Sequence, residues 1–161
     1  MADIEDSVQE LSEAEILSRF MAARDEPPPT SMYYVRRPDS ENPGTFKVVY
    51  SFRLTAIKNE VFTAARRRAT TGSRSKGTEE VDPTRFSAAV ILAATAQPWR
   101  KLMWENRDLW AKSGQTNSID YIGDVLLPGD LDAAYKMVEE LSGFGNKDGD
   151  IDDPDVSRIK N

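Results

Sequence analysis

Apolar side chains recur at helical spacing early in the chain, give way to strict alternation, and return to helical spacing for most of the remainder. In the first segment Ile16, Leu17, Phe20 and Met21 share one face while Glu13, Arg19 and Arg24 are expected to face water, which predicts an amphipathic helix from about Ser12 to Arg24. Ser12 is placed to cap the amide of Glu15, Glu15 to reach back to Ser12, and Leu11 to staple against Ile16. Pro27, Pro28 and Pro29 end the helix, because proline has no amide to donate and restricts the residue before it. Two stretches rich in aromatic and β-branched residues follow, "SMYYVRR" and "TFKVVYSFRL", and the turn-forming "PDSENPG" between them predicts a β-hairpin. Phe46, Val48, Tyr50, Phe52 and Leu54 alternate with Lys47, Val49, Ser51 and Arg53, so those five are expected on one buried face.

Helical spacing resumes in "TAIKNEVFTAARRRA", with Ile57, Val61, Phe62 and Ala65 as its stripe. The glycine, serine and charge of "TTGSRSKGTEEVD" follow without a period, and a mobile exposed connection is expected from Thr70 to Val81. Asp82 and Pro83 read as an N-cap and first helical position, opening a central helix in "TRFSAAVILAATA" that is apolar on nearly every side. Pro98 ends or kinks it, and Trp99, Trp104 and Trp110 fall in one or two short helical pieces. Ser118 is expected to cap a helix with Tyr121, Ile122, Val125 and Leu126 on one side. After a Pro-Gly turn, Asp130 is expected to cap the last helix, whose stripe is Leu131, Tyr135, Val138 and Leu141. Gly143 suits a left-handed helix end, with Phe144 folding back on Val138.

These elements predict a mainly α (α+β) fold: a compact helical domain of about five to six helices with a small N-terminal antiparallel β-hairpin. The domain is expected over residues 12–144, after a flexible N-terminus at 1–11 and before an acidic, disordered tail at 145–161.

Composition narrows the chemistry. The 161 residues contain neither cysteine nor histidine, which removes disulfides, thiolate and histidine-based nucleophilic catalysis, and the usual zinc ligand sets. A net charge of -6 argues against a general nucleic-acid footprint. The acidic "MADIEDSVQE" is unlike a signal peptide, and the longest apolar run, around Ala88 to Ala94, is far shorter than a membrane span, so the chain reads as soluble and not exported. Asp148, Asp150, Asp152, Asp153 and Asp155 resemble a calcium loop, yet Asp153 and Ile159 stand where that loop requires glycine and glutamate. No carboxylate spacing singles out a magnesium site. Arg66, Arg67, Arg68, Arg74 and Lys76 form the one concentrated basic patch, although successive helical residues diverge by about 100°. Catalytic, cofactor and metal sites are therefore all read as none. Partner binding is assigned to Trp104, Trp110, Tyr121 and Tyr135, with the alternative that tryptophans at such spacing seal the edge of a core.

Taken in order, "LSEAEILSRFMAARDEP", "SFRLTAIKNEVFTAARRRA", "FSAAVILAATAQP" and "VLLPGDLDAAYKMVEELSGFG", closing with "IKN", resemble the XkdN-like phage tail assembly chaperones. The resemblance implies a non-enzymatic protein with no cofactor, made in the host bacterial cytoplasm and absent from the mature virion. It implies as partners the tape-measure protein, kept soluble by the chaperone, and also tail-tube subunits, without nucleic acid or membrane. Self-association is left open. The alternative is an acidic non-catalytic adaptor or regulatory protein that binds another protein or, through Arg66 to Arg68, nucleic acid.

Overall fold

A computed structural model describes residues 11–144. The first helix, α1 (Glu13–Asp25), begins at the capping box read from the sequence: Ser12 Oγ accepts from the Glu15 amide at 3.2 Å, and the Ser12 amide donates to Glu15 at 3.3 Å. None of its residues is buried. Pro27 to Pro29 follow without regular structure, stiffened by the fixed φ of proline, and the Pro29 carbonyl already accepts from the Ala56 amide at 2.9 Å.

Strands β1 (Thr30–Pro38) and β2 (Phe46–Thr55) then pair antiparallel. Asp39 closes the turn between them, its amide bonding the Thr45 carbonyl at 2.9 Å and its carboxylate accepting from the Glu41 amide at 2.9 Å. The expected single buried face of β2 is corrected by the register. Val35 faces Tyr50 but Arg36 faces Val48, leaving Val49 without a partner. Facing residues of antiparallel strands project to the same side, so the slip moves Phe46 and Val48 away from Phe52 and Leu54 and onto the side of Arg36 and Pro38. Phe46 and Val48 are accordingly 68% and 52% exposed, while Val35, Phe52 and Leu54 are sealed.

Helix α2 (Asn59–Ala69) buries Ala65 and Ala69. It leads into β3 (Thr70–Thr71), which pairs with β4 (Glu80–Val81). The connection expected to be mobile is thus closed at its base by a short ladder, and within it the Ser73 amide bonds Thr78 Oγ1 at 2.9 Å. Central helix α3 (Pro83–Ala94) follows, capped by Asp82 on the Arg85 amide, and buries six apolar residues from Ala88 to Ala94. It packs against α2 and β2 and against two later helices, α5 (Ser118–Val125) and α6 (Pro128–Leu141). Between them lie a π-helical turn at Arg100–Trp104 and α4 (Arg107–Lys112).

Two caps differ from expectation. Asn117, one residue before Ser118, caps α5. Asp130 sits inside the first turn of α6, which has no side-chain cap, and its carboxylate is engaged elsewhere.

The fold class is corrected accordingly. The hairpin is not N-terminal, because α1 precedes it; its strands run nine and ten residues, and a second small sheet accompanies it. Six α-helices among the described residues complete an α+β architecture.

Candidate functional site

The aromatic residues singled out in the sequence separate by depth. Trp104, at the end of the π-helical turn, is 1% exposed and edge-packed between Phe52 and Tyr121 at ring-centroid distances of 5.3 and 6.3 Å. Its indole donates to Thr95 Oγ1 at 3.1 Å, and that hydroxyl returns its proton to the Ile91 carbonyl at 2.6 Å, so the polar atoms carried into the core are paired. Arg100 closes the C-terminal end of α3, bonding the Thr95 and Ala93 carbonyls at 2.9 and 2.8 Å. Tyr121 is buried as well. Trp110 and Tyr135 are half-buried: the Trp110 indole donates to the Trp104 carbonyl at 2.7 Å, and Tyr135 leans on Phe86. Burial raises the Tyr121 and Tyr135 hydroxyls above the ordinary tyrosine value.

A polar seam joins the hairpin to α6. The Tyr33 hydroxyl donates to Asp130 at 2.8 Å, and Arg37 pairs with the same carboxylate at 2.9 Å. Burial first, and then the Asp130 hydrogen bond, push the Tyr33 hydroxyl far above its ordinary value. Burial also raises Tyr50, whose hydroxyl has no hydrogen-bond partner among the described residues. The Asp130 charge is thus shared between a phenol and a guanidinium, an arrangement that fixes two elements and leaves no free base.

Apolar surface gathers in two other places. On α1, Ile16, Leu17, Phe20 and Met21 are all exposed, Phe20 by 62%. Beside the Pro27–Pro29 segment, a groove runs between β1 and α6. One hollow of it, about 450 Å³, is lined by Pro29, Ser31, Met137, Leu141 and Gly143, with Glu140 at its wall. A second hollow, about 360 Å³ and sharing Met137, is lined by Met32, Tyr33, Tyr34 and Ala133, with Arg36 and Asp130 as its charged wall. Methionine side chains repack readily, so such a groove accepts apolar surfaces of differing shape.

Of these groove residues, Leu141 is legible in the sequence as part of the α6 stripe and Pro29 as a helix terminator, but the groove itself was not singled out, though a signal was there. Ala133, Met137 and Leu141 recur every four positions and form a second apolar row on α6 beside the buried Leu131, Ala134 and Val138. The acidic run from Asp148 lies outside the described residues. No described helix is long and apolar enough to cross a membrane.

A family model described as phage XkdN-like tail assembly chaperone protein matches residues 17–160, from the middle of α1 through every later element. No curated protein and no solved structure gives a match.

Proposed function

The chain belongs to the phage XkdN-like tail assembly chaperones, and from that premise we propose that it holds the tape-measure protein in solution during tail morphogenesis and brings tail-tube subunits to it. The role is non-catalytic, is performed in the host cytoplasm, and ends before the virion is complete. The proposed client surface combines the apolar stripe of α1 with the β1–α6 groove, and Trp110 and Tyr135 contribute through their accessible edges. Trp104 and Tyr121 are buried and lie outside that surface, as core residues packed on each other.

One observation carries this reading: four large apolar side chains on one helix that nothing else in the described chain covers. Burying each contributes about 1.5–3 kcal/mol, whereas association costs on the order of 4–15 kcal/mol. The stripe alone therefore gives weak, reversible capture, and the groove must add to it. Reversibility suits a chaperone whose client has to leave. An amphipathic client helix in an apolar groove with a polar rim is the corresponding binding mode.

The test is co-expression with the tape-measure protein of the same phage, scoring its solubility and co-purification with and without this chain. Rescue with a stable complex is expected, and Leu17→Glu with Phe20→Glu should abolish it while the body stays folded. Absence of rescue and of complex, with both proteins well expressed, overturns the tape-measure reading and leaves an adaptor for another protein.

A further inference from the structure

The net charge of -6 is unevenly distributed. Residues 1–10 carry four acidic groups and no basic one, and residues 145–161 carry five acidic groups against three basic, which together account for the whole -6. Residues 11–144 are electrically neutral in sum. Within this neutral body, Arg66, Arg67 and Arg68 end α2, and none of the three has an ion-pair partner among the described residues. Arg66 and Arg67 line a groove of about 310 Å³ together with Thr63, Thr70 and Val81, and Glu79 and Glu80 form part of its wall. Arg74 and Lys76 lie in the exposed connection between β3 and β4.

The point at which the described chain ends supplies the second observation. The Phe144 ring meets Phe62 of α2 edge-on, with centroids 5.4 Å apart. Ser142 is fixed beside it, its hydroxyl accepting from the Ile57 amide at 3.0 Å. The chain thus leaves the body against the helix that carries the arginines. Phe62 and Arg66 are one turn apart, about 6 Å along the axis. Asp148 lies four residues beyond Phe144, and extended chain reaches about 3.5 Å per residue, or roughly 14 Å. From Asp148 to Asp155 the sequence "DGDIDDPD" holds five carboxylates and no cation.

We propose that this acidic segment, Asp148–Asp155, docks in cis along the groove wall formed by Arg66 and Arg67 of α2, so that the groove is a site for an acidic peptide which the chain's own C-terminal segment fills. The arginines supply forked donors for carboxylates, and the tether makes the contact effectively intramolecular. Glu79 and Glu80 oppose it, which confines the segment to the α2 wall of the groove. Contacts of this kind between exposed charges weaken as salt rises. The proposal does not depend on the identity of the client.

The chain has no cysteine, so Ser157→Cys in the full-length protein gives a single position for a nitroxide spin label. At low salt, paramagnetic broadening should concentrate on the amides of residues 63–70. It should fall by roughly threefold or more at high ionic strength, and likewise in a variant with Arg66→Gln and Arg67→Gln. Broadening spread evenly over the surface, or unchanged by the arginine substitutions, overturns the proposal. Mixing labelled chain with unlabelled, isotope-enriched chain separates the remaining case: broadening that appears across molecules puts the segment on a second copy and overturns docking in cis.

Discussion

Tyr33 shows how one hydroxyl can hold two elements together. It donates to Asp130, which is also paired with Arg37, so a single contact fixes β1 against the start of α6. Tyr33→Phe should cost about 1–2 kcal/mol at neutral pH, since a hydrogen bond to a charged acceptor is lost from a partly solvated site. The pH dependence has a definite sign. The folded chain holds the Tyr33 proton more tightly than the unfolded chain, whose value is near the ordinary 10.0. The stabilisation is therefore complete below pH 10 and is lost as pH rises beyond it. Chemical denaturation of both proteins from pH 7 to 11.5 should show the advantage over Tyr33→Phe shrinking above about pH 10; a constant difference would contradict the assigned hydrogen bond. Gly72 makes a steric prediction. It has φ of 93°, and an added Cβ would lie 2.1 Å from the Thr78 carbonyl oxygen. Gly72→Ala should lower stability by about 1–3 kcal/mol through forced rearrangement of the β3–β4 connection, as read from denaturant midpoints.

At the level of elements, α1 can be separated from the rest. Its capping box satisfies two amides at its start, and none of its residues is buried in the body. Ser12→Ala removes about 1 kcal/mol from the helix alone. Far-ultraviolet helicity and amide protection in residues 13–25 should fall while the midpoint for the body stays where it was; a shifted midpoint would mean that α1 docks on the domain. The existence of α1 and of α3 was legible because it is written in local signals, Ser12 with Glu15 and Asp82 with Pro83. The exposure of α1 was not, since an amphipathic pattern says that one face wants cover and not which molecule provides it. Alternation likewise placed β2 correctly but assumed an unbroken register, and the unpaired Val49 moved Phe46 and Val48 to the open side. Strands as short as Thr70–Thr71 and Glu80–Val81 carry too few positions for any period to appear. Of the proposed surface, Trp110 and Tyr135 were visible as excess aromatics, whereas the β1–α6 groove depends on a contact between distant segments.

For the whole molecule, the separation between a neutral body and acidic ends has a consequence for solubility. Residues 11–144 carry no net charge yet expose Ile16, Leu17, Phe20 and Met21 on α1 and Phe46 and Val48 on the hairpin. Near-zero net charge removes the long-range repulsion that keeps copies apart, and exposed apolar patches then promote contact. The terminal segments, with -4 in residues 1–10 and -2 in residues 145–161, supply that repulsion. A chain cut to residues 11–145 keeps every buried residue of the described core and should unfold within about 1 kcal/mol of the full-length protein, because contacts between exposed charges contribute little. It should nevertheless self-associate at lower concentration near neutral pH, as measured by sedimentation. Adding Leu17→Glu and Phe20→Glu to the shortened chain should reverse the association, since the substitutions restore negative charge and break the stripe together. To separate those two effects, Leu17→Ser with Phe20→Ser breaks the stripe without adding charge. Reversal by serine as well as by glutamate assigns the association to the α1 face, the surface proposed for the client; reversal by glutamate alone assigns it to lost repulsion.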